Sequence, residues 1–258
     1  MDGRSSIYFA SDLHLGMYPL EESRQREQLF VQWLDEIRTD AAELWLLGDV
    51  FDYWFEYHKV VPRGYTRFLG KLALLHDEGV KIHLITGNHD IWVFNYLPQE
   101  VGLELHRKEV IRTWNNHRFL LGHGDGLYSG DVSYRFLQTI FKNRLLQWCY
   151  ARLHPNGSTA FAQWLSKRSR KKHGTYGVFL GPDQEHQVQY ARKKLLEDPG
   201  IEYFVFGHRH LAYEIGISDR SRVICVGDWI GNFTYGVFNG EHFELKRYLK
   251  DQGEILRF

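Results

Sequence analysis

Short apolar runs that stop at a glycine, aspartate or histidine recur along this chain and alternate with longer stretches of helical periodicity. Ile7-Tyr8-Phe9-Ala10 runs into Ser11-Asp12-Leu13-His14, and Leu44–Leu47 into Gly48-Asp49-Val50-Phe51-Asp52. Val80–Thr86 precedes Gly87-Asn88-His89-Asp90, Phe119–Leu121 precedes Gly122-His123-Gly124-Asp125, and Tyr203–Phe206 precedes Gly207-His208-Arg209-His210. Each run is long enough for a buried strand and too short for a helix. Between them, Glu21 to Ile37 places Leu29, Phe30, Trp33, Leu34 and Ile37 on one helical face, and Arg63 to His76 does the same with Phe68, Leu72 and Leu75. This alternation confines the chain to an α/β fold whose strand-end loops collect the polar side chains.

Further along, Arg222–Val226, Tyr235–Phe238 and His242–Tyr248 read as a second group of strands, with turn signals at Gly231-Asn232 and Asn239-Gly240. Block spacing exposes an insertion. The steps Asp12 to Asp49, Asp49 to Asn88 and Asn88 to His123 are 37, 39 and 35 residues, but His123 to His208 is 85. The extra length, residues 129–187, has few strand signals. It is expected to be a mostly helical cap within a single domain spanning 1–258.

Composition excludes some classes. At 43% hydrophobic and 25% charged residues, the chain is that of a globular protein, not a disordered one. Lys+Arg and Asp+Glu both number 32, so net charge does not make nucleic acid the expected partner. The two cysteines, Cys149 and Cys225, lack zinc spacing and are expected to be buried thiols. There is no signal-peptide pattern and no run approaching the ~18 apolar residues of a spanning helix. A soluble, cytoplasmic chain is expected.

The polar blocks hold the ligand types a pair of divalent ions needs. Asp12 and His14 alternate past a strand end and point to one side. Asp49 follows the turn allowed by Gly48, and its two oxygens can bridge two ions. Asn88 offers a neutral carbonyl, and His123, His208 and His210 offer imidazoles. A mixed N/O set suits Mn, Fe, Zn or Co better than Ca, with Mg also admissible. Any block alone would more often be a turn or cap; five in order are hard to explain by folding alone. Two ions about 3.5–4 Å apart can clamp a phosphate and hold a hydroxide between them.

The ordered set D-x-H, G-D-x-x-D, G-N-H-D, G-H-G-D, G-H-x-H resembles the calcineurin-like metallophosphoesterase superfamily from Asp12 to His210. The resemblance implies an αββα sandwich of two β-sheets flanked by helices. It implies Asp12, His14, Asp49 and His210 on one metal, and Asp49, Asn88, His123 and His208 on the other. A metal-bridging hydroxide would attack phosphorus in line, with the catalytic His89 beside the phosphate and Asp52 and Asp90 orienting ligands and loops. The words Ser11–Gly16, Gly48–Trp54 and His123–Leu127 are similar to the UDP-2,3-diacylglucosamine pyrophosphatases of lipid A biosynthesis. That likeness implies a Mn-dependent enzyme at the inner membrane surface, yielding UMP and 2,3-diacylglucosamine 1-phosphate. Some members of that family carry arginine where this chain has His89, and histidine is the general superfamily form. An esterase of another nucleotide, phosphoprotein or nucleic acid is the alternative; a non-catalytic scaffold is disfavoured because all seven ligands are present.

The insertion carries charge that the whole chain lacks. From Asp131 to His173 there are nine basic residues, including Lys167, Arg168 and Arg170, against one acid. Tyr134, Phe136, Phe141, Trp148, Tyr150, Phe161 and Trp164 are interleaved with them. Such a segment can lie on an anionic membrane or hold a diphosphate and acyl chains. It can equally pack the cap beneath a solvated basic face, or bind single strands. Lys167, Arg168 and Arg170 are the candidates for the diphosphate.

Overall fold

The computed structural model describes residues 3–127, 132–172, 178–249 and 254–258; within these, the side chains of 132, 133, 135 and 169–172 are not described. Strands β1 (Ser6–Ala10), β2 (Ala41–Leu46), β3 (Lys81–Ile85) and β4 (Glu104–His106) join β10 (Thr234–Phe238) and β11 (Phe243–Arg247) in one sheet, ordered β11-β10-β1-β2-β3-β4. A second sheet, ordered β12-β8-β9-β7-β6-β5, holds β5 (Val110–Trp114), β6 (His117–Leu121), β7 (Tyr203–Phe206), β8 (Ala212–Gly216), β9 (Arg222–Val226) and β12 (Ile255–Arg257). The chain thus forms the expected pair of mixed sheets flanked by helices.

Period-two alternation builds three apolar layers from these strands. Ile7, Phe9, Trp45, Leu47, Ile85, Phe119, Leu121, Tyr203 and Val205 face inward and fill the space between the sheets. Their neighbours Tyr8, Ala10, Leu44, Leu46, Ile82 and Leu84 face outward, against Phe30, Trp33 and Leu34 of α1 (Leu20–Ile37) and Phe68, Leu72 and Leu75 of α2 (Thr66–Asp77). On the other side, Phe204, Phe206, Val223 and Cys225 pack under Val188 and Ala191 of α7 (His186–Glu197). Burying each such large side chain is worth roughly 1.5–3 kcal/mol.

Between β6 and α7 lie α4 (Val132–Lys142), α5 (Arg144–Tyr150) and α6 (Pro155–Lys172). They rest on an aromatic shelf formed by the loops after β2 and β3. Tyr150 packs on Phe55 and Trp92 at 4.7 and 5.0 Å, and Tyr53 Oη lies 2.9 Å from Tyr150 Oη. Trp92 Nε1 donates to the Phe141 carbonyl, and Tyr57 bonds Ser158. Large apolar side chains, Phe136, Leu145, Trp148, Phe161 and Trp164, are exposed on these helices beside the equally exposed Lys142, Arg144, Arg152, Lys167 and Arg168.

The two thiols correct the sequence expectation. Cys225 is fully buried on β9, but Cys149 is exposed on α5, where the surrounding apolar residues face outward. Burial pushes the Cys225 thiol up to about 12, so it is neutral and unreactive at ordinary pH. A disulfide-exchange reagent is therefore expected to titrate one thiol rapidly in the native chain and the second only after unfolding. Two fast thiols would contradict the burial of β9.

Candidate metal centre

Parallel pairing decides where the polar blocks meet. β1, β2 and β3 run parallel, as do β6, β7 and β9, so their C-terminal ends lie at common sheet edges. Asp12 and His14 follow β1, Asp49 and Asp52 follow β2, and Asn88, His89 and Asp90 follow β3. His123 follows β6, and His208 and His210 follow β7.

The loops are held in backbone conformations that side chains seldom choose. Asp12, His14, Asp49, His208 and His210 have φ of 54°, 44°, 52°, 70° and 52°. The left-handed region costs an L-residue about 1–2 kcal/mol, and such strain gathers at functional sites. Cross-loop hydrogen bonds hold it: His14 N donates to Asp49 O at 2.9 Å, Leu15 N to Val50 O at 2.9 Å, and Trp229 N to Asp12 O at 3.2 Å. Two glycines allow the approach. A Cβ on Gly87 would stand 2.6 Å from Asp49 N, and one on Gly207 2.6 Å from Asp12 Oδ2.

Two clusters result, joined through one carboxylate. His14 Nε2 lies 3.7 Å from Asp12 Oδ1, and His210 Nε2 lies 3.5 Å from the same oxygen. On the other side, His123 Nε2 lies 3.3 Å from Asn88 Oδ1 and 3.2 Å from His208 Nδ1. Asp49 Oδ2 sits between them, 3.6 Å from His14 Nε2 and 3.4 Å from His123 Nε2. Ligands at about 2.0–2.2 Å from one ion stand roughly 3.0–3.6 Å apart, so these separations match those around two ions. All seven residues expected as ligands are therefore brought together.

Outer partners set the tautomers. His123 Nδ1 lies 2.7 Å from the Leu47 carbonyl, His210 Nδ1 3.1 Å from Asp228 Oδ2, and His14 Nδ1 3.4 Å from Asp52 Oδ1. Each ring thus directs Nδ1–H outward and turns Nε2 inward, the usual arrangement around a metal. Asp90 accepts from Gly87 N at 2.7 Å and Val50 N at 2.8 Å, tying two loops together. His89 Nδ1 donates to the Asp52 carbonyl at 2.9 Å, and its ring meets His14 edge-on at 4.7 Å.

The electrostatics call for added positive charge. Burial alone would lower the His14 imidazole, but Asp12, Asp52 and Asp49 drive it up to about 10. His123 is likewise driven well above its ordinary value by Asp49 despite its burial. Burial pushes the Asp90 carboxyl up to about 7, aided by Asp49, and holds His89 below the usual imidazole value. Asp12 Oδ1 and His14 Nε2 are buried without a hydrogen-bond partner. Divalent ions between these atoms would satisfy both and replace the protons on the rings, so the donor set fits them.

Sequence reasoning missed several contributors. Asp228 holds His210 and accepts from the backbone of Ile230, Gly231 and Asn232 through Oδ1. Its signal was a second strand-Gly-Asp junction, Val226-Gly227-Asp228, resembling Gly48-Asp49. Ser166 Oγ lies 3.4 Å from His89 Nδ1, bringing α6 to the site. Asp125 accepts from Tyr134 Oη and Gln138 Nε2 of α4, both at 2.5 Å. Lys167 and Arg168 instead lie over the rings of Tyr18 and Trp164. The Arg170 side chain lies outside the described residues.

A two-sheet sandwich with paired imidazole and carboxylate clusters at its strand ends defines a metal-binding hydrolase. The chain belongs to the calcineurin-like phosphoesterase family, whose description matches residues 5–212, and it is thus a metallophosphoesterase. It is 38% identical over 249 residues to a UDP-2,3-diacylglucosamine hydrolase of Porphyromonas gingivalis, covering 92% of this chain and 95% of the relative. It is 29% identical over 206 residues to the protein of that name from Edwardsiella ictaluri, covering 78% and 74%. Among solved structures, a dimetal phosphatase from Danio rerio aligns over 96% of each chain at 15% identity and a TM-score of 0.45, too loose a likeness to bear on function. Among the described residues, no helix is long and apolar enough to cross a membrane.

Proposed function

We propose that this chain hydrolyses the diphosphate of UDP-2,3-diacylglucosamine to UMP and 2,3-diacylglucosamine 1-phosphate. The reading is carried by the likeness to the P. gingivalis hydrolase, which spans nearly the whole of both chains. The exposed apolar surface of α4–α6 supports it, because a diacyl substrate needs a greasy surface beside a polar centre. In this reading residues 129–187 form a cap on a single domain, and its aromatic and basic side chains meet the acyl chains or the inner membrane surface. Nucleic acid has no part in it.

Asp12, His14, Asp49 and His210 would hold one ion, and Asp49, Asn88, His123 and His208 the other, with Mn the proposed metal. When bound, the ions supply Lewis-acid polarisation of the phosphoryl group and acidify the attacking water. Water oxygen joins one phosphorus, the anhydride P–O bond breaks, and the departing phosphate oxygen takes up a proton. His89 keeps Nδ1–H on the Asp52 carbonyl, which leaves Nε2 for the phosphate. Burial keeps the ring neutral until an anionic phosphate favours its protonated form, and that proton then stabilises the leaving oxygen. Asp52 and Asp90 orient rings and loops. Arg170 remains a proposed diphosphate contact, and Lys167 and Arg168 reach it only by leaving Tyr18 and Trp164.

Incubation of UDP-2,3-diacylglucosamine with the Mn-loaded enzyme is expected to give UMP and the lipid sugar phosphate in equal amounts, abolished by EDTA. Turnover of a generic aryl phosphodiester without turnover of the lipid would leave a phosphoesterase of another substrate. His89, the general superfamily form at that position, is what favours that second reading.

Metal loading should also release protons. His14 and His123 carry raised pKa values in the metal-free chain, so both are protonated at pH 7 and must lose their protons to bind. Affinity should therefore rise with pH, and about two protons should appear per chain loaded in weakly buffered solution. Loading with no proton release, or affinity independent of pH between 6 and 9, would contradict this assignment.

A further inference from the structure

A second convergence of ligand atoms lies away from the strand-end loops, at the open edge of the sandwich. His83 on β3 and Glu104 and His106 on β4 share a sheet face, since β3 and β4 pair in parallel with His83 opposite Glu104. His83 Nδ1 lies 3.2 Å from His106 Nε2 and 3.3 Å from Glu104 Oε2, and His106 Nε2 lies 3.5 Å from Glu104 Oε1. Three donors on a tetrahedral ion with bonds of about 2.0–2.1 Å would stand roughly 3.3–3.4 Å apart. None of the three belongs to the clusters described above.

The surroundings resemble those of a metal-bound histidine. The His83 side chain is only 7% exposed, and its Nε2 has no hydrogen-bond partner, 3.5 Å from Glu43 Oε2. Glu43 is fixed by Trp45 Nε1 at 2.9 Å and Trp114 Nε1 at 3.2 Å. With the proton on Nε2, toward Glu43, the Nδ1 lone pair would point at His106 and Glu104, the placement outer carboxylates favour for ligating imidazoles. Trp45 stacks on His83 at 4.0 Å and on His106 at 5.2 Å, restricting both rings. The mouth is open: the Glu104 side chain is 58% exposed, and a cavity of about 210 Å³ lined by His76, His83, Gly102 and Glu104 opens beside it. Arg112 Nη2 sits 3.5 Å from Glu104 Oε1 and competes for that oxygen, leaving Oε2 toward His83.

We propose that His83, Glu104 and His106 form a further site for a divalent transition ion of the zinc type, independent of the phosphoesterase centre. Two imidazoles and one carboxylate make an N2O set that suits zinc, with a fourth position open to water. The ion would clip the three-residue edge strand β4 to β3. A bare hydrogen bond, one imidazole N–H donating to the other ring's nitrogen, is the competing account for the 3.2 Å approach.

The test is zinc content. The native chain, His106→Gln and Glu104→Gln are each equilibrated at micromolar free zinc, gel-filtered and analysed for metal per chain. The native chain is expected to retain one equivalent more than either variant, with unchanged aryl phosphodiester turnover in all three. The same difference of one should persist in an Asp49→Ala background, so the result does not depend on what the other centre holds. Cobalt substitution should add a tetrahedral visible absorption band that the variants lack. Equal zinc content in the native chain and the variants overturns the proposal. Glu104→Gln, at an exposed side chain, decides the matter if His106→Gln fails to fold.

Discussion

Asp49→Ala is expected to leave phosphoester hydrolysis below detection and to strip metal from both halves of the centre. One Asp49 oxygen stands within 3.6 Å of a ring nitrogen in each cluster, so among the described residues this side chain is the carboxylate common to both. Its Oδ1 also accepts the backbone N–H of His89 at 2.9 Å, which fixes the third loop. Removing it takes away the carboxylate that lies against both the His14 and the His123 rings. Loss of Lewis-acid stabilisation worth several kcal/mol corresponds to at least about 10³-fold in rate. Metal analysis and aryl phosphodiester turnover, with circular dichroism confirming the fold, check the result. Substantial turnover with two ions retained would refute the bridging role.

His89→Ala should separate catalysis from metal binding. The ring is anchored by the Asp52 carbonyl and the edge of His14, and its ligand atoms also lie close to those of His14 and Asp49. Its loss is expected to lower kcat by about 10²–10⁴-fold while both metals stay bound, the range for a missing general acid. Because the acting form is the protonated ring, kcat of the native enzyme should fall as pH rises through the His89 titration, and that descending limb should vanish in His89→Ala. Loss of an ion on substitution would make His89 a structural member of the centre instead.

Much of the fold was legible because burial on both faces leaves a strong mark. β1, β2, β3, β6 and β7 each hold a run of buried apolar residues, and their ends fell within a few residues of the observed bounds. β5, β8 and β12 left no comparable mark. β5 alternates half-buried and exposed residues, and β12 is a three-residue edge strand; such segments owe their conformation to a partner strand. Cys149 shows the same limit. An apolar neighbourhood in sequence suggested burial, but α5 presents that side outward, and nothing local records which face of a cap meets solvent.

The sequence by itself determined the chemistry of the centre. The five polar blocks name the donor atoms, and Gly87 and Gly207 mark where backbones must pass too closely for a Cβ. Only the tertiary structure decided the pairing of those donors and the supports behind them. Asp228 is an ordinary acid after β9 until the parallel β7–β9 pair carries it to His210, and Ser166 is an ordinary helical serine until the aromatic shelf tilts α6 toward His89. Ligand identity is a property of single side chains, written one residue at a time. Tautomer, charge and strain depend on atoms brought within 4 Å of each other from as far apart along the chain as Asp12 and Trp229, and folding alone sets those distances.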